Sequence, residues 1–184
     1  MRYNYFVERN ELTMTIYLCG FMGCGKTTAG RALADMMSLE YTDMDAYIEK
    51  KAGMSIPQIF AEKGEDSFRR METEAVAELG KAGGIIACGG GAMLKEINAK
   101  TAAEYGTVVY IDVPYDACYD RISGDTNRPI VMANTKESLE EIYNDRVPLY
   151  IAHSQIKADG TGSPEAIAAR IRDAVKEHLN IQKG

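Results

Sequence analysis

No stretch of this 184-residue chain approaches the ~18 consecutive apolar residues that a membrane-spanning helix needs, so no transmembrane segment is expected. Residues 1–13 are polar and aromatic, hold acidic side chains and lack the apolar core of a secretory signal. Histidine is scarce. His153 and His178 cannot complete a familiar zinc pattern with Cys19, Cys24, Cys88 and Cys118, which are widely spaced and contain no C-x-x-C. Four reduced thiols are expected, which suits a reducing cytoplasm. Basic charge is outweighed: 21 Lys and Arg face 27 Asp and Glu, a net charge of −6, which argues against general nucleic-acid binding. An anionic ligand must then be held by locally placed Arg, Lys or backbone N–H groups. There is neither an internal repeat nor a low-complexity linker.

What is present fits one α/β domain over residues 14–184. Residues 1–13 read either as a flexible extension or as preceding a start at Met14. Apolar content of 46% and charged content of 26% suit a chain with one sizeable core. Short β-rich runs at 15–19, 40–42, 85–88, 107–113 and 155–158 alternate with helical patterns. The first of these follows at 28–37, and the others at 45–52, 56–63, 66–82, 94–105, 115–123, 136–152 and 164–179. Ser55-Ile56-Pro57-Gln58 reads as a helix start, with a hydroxyl cap, an early proline and a glutamine at the third helical position; Ser163-Pro164-Glu165 is another. Strands separated by helices imply crossovers and a parallel sheet covered on both faces. In such folds ligands lie beyond the carboxyl ends of the strands. The residues there are Gly20–Thr27, Asp43 and Asp45, and Gly89–Gly91.

Gly20-Phe21-Met22-Gly23-Cys24-Gly25-Lys26-Thr27 fits G-x-x-x-x-G-K-[ST], with a strand before it and a helix after it. Glycines let the backbone turn its N–H groups inward as an anion nest, and the helix N-terminus adds partial positive charge. Lys26 reaches the outer phosphates of a nucleotide and Thr27 places a hydroxyl on Mg²⁺. Cys24 reads either as a thiol activated by the helix N-terminus or as a small residue that fits. Asp43 and Asp45, read as extended, share one side of a strand end; one supports Mg²⁺ and the other takes a hydrogen bond from an acceptor hydroxyl. Arg69, Arg70 and Arg146 suit bidentate carboxylate binding. Gly89, Gly90 and Gly91 suggest close approach of a ligand or another backbone. Residues 124–133 read as a mobile lid carrying Arg128.

In order along the chain stand G-F-M-G-C-G-K-T, T-D-M-D, G-E-D-S-F-R-R-M-E, C-G-G-G-A, R-I-S-G-D-T-N-R-P and R-V-P-L-Y. From Thr15 to Leu179 this set resembles the shikimate kinase family of nucleoside-monophosphate-kinase-like proteins. The resemblance implies a three-layer phosphate-loop fold with a five-stranded parallel sheet and a lid. It implies transfer of the γ-phosphoryl of ATP to the 3-hydroxyl of shikimate. It assigns ATP to Gly23, Cys24, Gly25, Lys26, Thr27, Thr28, Arg121 and Arg128, with Arg121 stacked on adenine and 160–164 as the adenine-side loop. It assigns Mg²⁺ to Thr27 and Asp43, and shikimate to Asp45, Arg69, Gly89, Gly90, Gly91 and Arg146. Lys26, Asp45 and Arg128 are the catalytic set. A cytoplasmic monomer without nucleic-acid or membrane partners is implied. Residues 1–13 lie outside the family pattern, and G-T-G-S-P at 160–164 lacks the arginines often found there.

Three other readings compete. A kinase for another small polyol acid, such as gluconate, shares the phosphate loop but does not require the F-R-R-M-E, G-G-G and R-V-P-L-Y set. A GTP switch would carry [N/T]-K-x-D, where Ile156-Lys157-Ala158-Asp159 lacks the first polar residue. A silent binding module has no need of the intact Lys26, Thr27, Asp43, Asp45, Arg69, Arg128 and Arg146.

Overall fold

The structure, a computed structural model, describes residues 14–124 and 129–181. Five parallel strands form one sheet in the order β2-β3-β1-β4-β5. These are β1 (Thr15–Cys19), β2 (Tyr41–Asp43), β3 (Gly84–Ala87), β4 (Thr107–Asp112) and β5 (Ile156–Asp159). The helices are α1 (Lys26–Met37), α2 (Met44–Ala52), α3 (Ile56–Lys63), α4 (Glu65–Ala82), α5 (Glu96–Tyr105), α6 (Tyr115–Ile122), α7 (Pro129–Met132), α8 (Lys136–Ala152) and α9 (Pro164–Ile181). β1 lies in the centre, with Ile16 opposite Ile85 on one side and Thr107 on the other.

Every residue of β1 is buried, so it reads as a continuous apolar run. Its alternate side chains still separate two layers. Thr15 Oγ1 donates to the Gly80 carbonyl at 3.0 Å and the Tyr17 hydroxyl to that of Val76 at 2.8 Å, placing α4 on one face. Leu18 points to the other face, where a Cβ at Gly30 of α1 would come within 3.1 Å of it. α9 packs along α1 on that side, and α5 packs along α4. Ile16, Leu18, Ile85, Ile86, Val108, Val109 and Ile111 are fully buried between these layers. Each such side chain contributes about 1.5–3 kcal/mol relative to exposure.

From β1 the chain runs to one edge of the sheet, and after β3 it crosses to the opposite side of β1. The loops leaving β1 and β3 therefore lie side by side at the switch in strand order, where α/β sheets bind ligands. Ser55 caps α3 through a complete capping box with Gln58, and Ser163 Oγ accepts from the Ala166 N–H at 3.3 Å, as the sequence indicates.

Two expectations change. β2 ends at Asp43 and α2 begins at Met44, so Asp43 and Asp45 do not share an extended segment. Ahead of α5 the chain makes a separate 3-10 turn at Ala92–Leu94, which the period-3.6 pattern did not separate from the helix. Residues 1–13 lie outside the described residues. Of the expected lid, 125–128 also lie outside them, Arg128 included, while Pro129–Met132 is helical.

Candidate active site

The loops after β1 and β3 and the β2–α2 junction open into one cavity of about 1480 Å³. Gly23, Gly25, Lys26, Thr27 and Thr28 form its floor. Gly23 and Gly25 have φ of 78° and 93°, left-handed values that glycine adopts without strain. A Cβ on Gly23 would also sit 2.5 Å from the Cys118 carbonyl oxygen. The first-turn N–H groups of α1 have no intrahelical acceptor. No side chain caps them and no acid lies in that turn, so donors and dipole stay directed at the cavity. Lys26 Nζ folds back to donate to the carbonyls of Gly20 at 2.8 Å and Phe21 at 3.0 Å. Cys24, expected in the phosphate-binding set, lies beneath the loop. It is 1% exposed, its Sγ lies 3.7 Å from Lys26 Nζ, and its N–H donates to the Phe21 carbonyl.

Asp43 and Asp45 both reach the cavity wall, by a route other than strand alternation. Asp43 ends β2 in extended conformation and caps α2, its Oδ1 accepting from the Ala46 N–H at 3.1 Å. Asp45 belongs to the first turn of that helix. Capping α2 thus leaves Asp43 on the cavity wall. Asp45 packs on the triple glycine, where a Cβ on Gly89 would lie 2.4 Å from its Oδ1.

Gly89, Gly90 and Gly91 line the same cavity, as do Arg69 of α4 and Arg146 of α8. Arg69 lies against Gly91, where a Cβ would stand 2.7 Å from its Nη1. It pairs with Glu65 at 3.0 Å and Glu72 at 2.7 Å. Burial works against the charge on Arg69, but Glu72 and Glu65 together raise its pKa above the ordinary value. Burial raises the Glu72 carboxyl, and Arg69 opposes that rise. Arg70 stands apart, is exposed and donates to Ser67 Oγ at 2.9 Å.

A family model described as shikimate kinase matches residues 22–176 of this chain. The chain belongs to the shikimate kinase family. A shikimate kinase of Aromatoleum aromaticum is 37% identical over 166 residues, spanning 89% of this chain and 95% of that protein. One from Nitrosospira multiformis is 41% identical over 160 residues, spanning 85% and 82%. The structure of the shikimate kinase from Acinetobacter baumannii in complex with shikimate is similar with a TM-score of 0.83 at 34% identity, over 90% of this chain and 94% of that one. A gluconokinase from Sinorhizobium meliloti 1021 has a TM-score of 0.58 at 15% identity, over 95% and 99%, and shares the fold alone.

Arg121, Gly162, Pro164 and Ile167 line the same cavity. Arg121 Nη1 also donates to the Gly23 carbonyl at 2.9 Å, tying α6 to the phosphate loop. Sequence reasoning missed Glu72, which is 1% exposed; its spacing of three from Arg69 on one helix was the available signal. It also missed the apolar wall from α3, where Ile56, Pro57, Phe60 and Ala61 line the cavity. Phe60 stands against Phe68 with ring centroids 4.9 Å apart. Among the described residues no three His, Cys, Asp or Glu side chains gather as a metal site. The hydroxyl of Thr27 and the carboxylate of Asp43, both oxygen donors, fit a hard cation that keeps waters and phosphate oxygens as its other ligands.

Proposed function

We propose that this cavity is the active site in which the kinase moves the γ-phosphoryl group of ATP to the 3-hydroxyl of shikimate, giving shikimate 3-phosphate and ADP. One observation carries the reading: Arg69, Arg146, Asp45 and the phosphate-loop residues Lys26 and Thr27 line a single cavity.

The first-turn N–H groups of α1 hold the outer phosphates, and Lys26 exchanges its two loop carbonyls for phosphate oxygens. Thr27 and Asp43 would hold Mg²⁺, which would draw off charge from the phosphoryl oxygens. Arg69 and Arg146 present planar guanidinium forks to the acceptor carboxylate. The backbone of Gly89–Gly91 meets the ring hydroxyls. Asp45 accepts a hydrogen bond from the reacting hydroxyl and takes its proton. Arg121, with Gly162 and Pro164, forms the adenine side. Arg128 supplies positive charge to the phosphates from beyond the described residues. Catalysis then rests on positioning and on fixed charge, not on covalent chemistry by the protein.

The enzyme works as a cytoplasmic monomer in aromatic amino-acid biosynthesis. The four buried, unpaired cysteines support a reducing compartment. Among the described residues no helix is long and apolar enough to cross a membrane.

The test is ADP release from ATP–Mg²⁺ by the purified protein, with shikimate and gluconate offered separately. Shikimate-dependent release alone is expected. Equal turnover of gluconate would overturn the acceptor assignment.

A further inference from the structure

Tyr150 is absorbed by none of the roles above. It lies on α8, four residues after Arg146, so the two side chains share one helix face. Its side chain is 1% exposed, and its ring stacks on Tyr110 with centroids 5.5 Å apart and planes inclined by 20°. Its hydroxyl donates to the carbonyl of Gly90 at 2.5 Å, across sixty positions of sequence. A turn further along, His153 Nδ1 lies 2.7 Å from the Met93 carbonyl. The last turns of α8 thus grip the loop after β3 at two points, while Arg146, on the same face, lines the cavity.

We propose that Tyr150 is the positioning residue of the acceptor subsite, setting the orientation of the Gly90–Gly91 peptide and fixing it relative to Arg146. This rests on the reading that Gly89–Gly91 and Arg146 hold the acceptor. The peptide group is planar and trans, so a carbonyl and the following N–H point in opposite directions. With the Gly90 carbonyl held toward α8 by Tyr150, the Gly91 N–H is turned away from α8. Both glycines line the cavity, so the plane of this peptide decides which polar groups a ring hydroxyl meets.

The other two glycines are held by packing instead. Asp45 bears on Gly89 and Arg69 on Gly91. Gly90 is the position where a Cβ would meet nothing within 4 Å. Gly90 has no side chain whose packing could fix the orientation of this peptide. The phenol hydrogen bond supplies the restraint. Burial raises the Tyr150 pKa well above that of an ordinary phenol, which keeps the hydroxyl a donor through the neutral range. The nearby positive charge of Arg146 pulls the other way but does not reverse the direction.

The experiment compares wild type, Tyr150→Phe and Arg146→Ala. Shikimate binding is measured by calorimetry without nucleotide, ATP binding is measured separately, and steady-state constants are determined for both substrates. Phenylalanine keeps the ring and its stacking and removes only the donor. Tyr150→Phe is expected to bind shikimate about 5- to 10-fold more weakly and to raise its KM in step, with ATP binding unchanged. Unchanged shikimate binding by Tyr150→Phe, while Arg146→Ala weakens it, would overturn the inference and leave the acceptor reading standing. Equal losses for shikimate and ATP would also overturn it, since a merely structural tyrosine loosens both. Wild type failing to bind shikimate would instead sink the acceptor reading itself.

Discussion

Arg69 Nη1 donates to Glu72 Oε2 at 2.7 Å, and the acid is 1% exposed while the arginine side chain is 23% exposed. The pair is therefore asymmetric: a fully buried carboxylate holds a guanidinium that still reaches the cavity. Two consecutive anchors, Glu65 and Glu72, stand one helical turn to either side of Arg69 and leave it little rotamer freedom. Such a side chain loses less entropy on meeting a carboxylate than a free surface arginine does.

Removing the buried partner should loosen that geometry. Glu72→Ala is expected to lower stability by about 3 kcal/mol, the low end for breaking a buried pair because Arg69 keeps access to water. It should raise the shikimate KM while leaving the ATP KM unchanged. Urea unfolding and steady-state kinetics on one preparation check both parts. Arg69→Lys should behave as a poor substitute, since an ammonium cannot match two carboxylate oxygens at once.

The proposed mechanism gives Asp45, on the cavity wall, the proton-transfer role. Asp45→Asn keeps the size of the side chain and removes its basicity. The expected result is a fall in kcat of about 10²- to 10⁴-fold with ATP affinity retained. Turnover at the wild-type rate would remove Asp45 from the mechanism.

The glycine triplet supports a graded prediction. A Cβ at Gly89 would meet Asp45 Oδ1 at 2.4 Å, one at Gly91 would meet Arg69 Nη1 at 2.7 Å, and one at Gly90 would meet nothing within 4 Å. In the free enzyme, thermal stability should be least affected by Gly90→Ala. Gly89→Ala should depress kcat by displacing Asp45, and Gly91→Ala should raise the shikimate KM by displacing Arg69. The opposite ranking, with Gly90→Ala the most unstable, would contradict this packing.

The strands were legible because each is a short β-rich run punctuated by glycine or aspartate. Thr15–Cys19 appears with the ends read from sequence, and the other four differ by one residue at one or both ends. The phosphate loop was legible because its spacing is local and its context, strand then helix, is local too. Asp43 and Asp45 were placed at the right strand end for a wrong geometric reason. Period-2 reasoning assumed that β2 continued, whereas Asp43 caps a helix that begins one residue later. What could not be read depends on contacts between distant positions. Tyr150 meets Gly90 across sixty residues, and the burial of Glu72 follows from how α4 packs against the turn after β3. Neither residue type announces such a role, and a glutamate on an amphipathic helix is ordinarily solvated.

The buried thiols predict how the enzyme responds to alkali. Burial pushes Cys19 and Cys118 up to about 12, and Cys88 well above an ordinary thiol. An unfolded cysteine ionises near pH ~8.5, so above that pH the unfolded chain gives up thiol protons that the folded chain retains. A raised folded pKa means that the stabilising contribution is complete below the unfolded value and is lost as pH climbs toward the folded one. Each thiol should remove about 1.4 kcal/mol of stability per pH unit in that window. Unfolding free energies measured under reducing conditions should therefore be level near neutrality and fall steeply above pH ~9. Cys118→Ala should flatten the fall by one proton's worth, even though the substitution itself lowers stability at neutral pH by leaving a small void. A slope identical in wild type and variant would mean that the Cys118 thiol ionises as readily in the folded protein as in the unfolded chain. That could not be reconciled with its complete burial beside Gly23 and the phosphate loop.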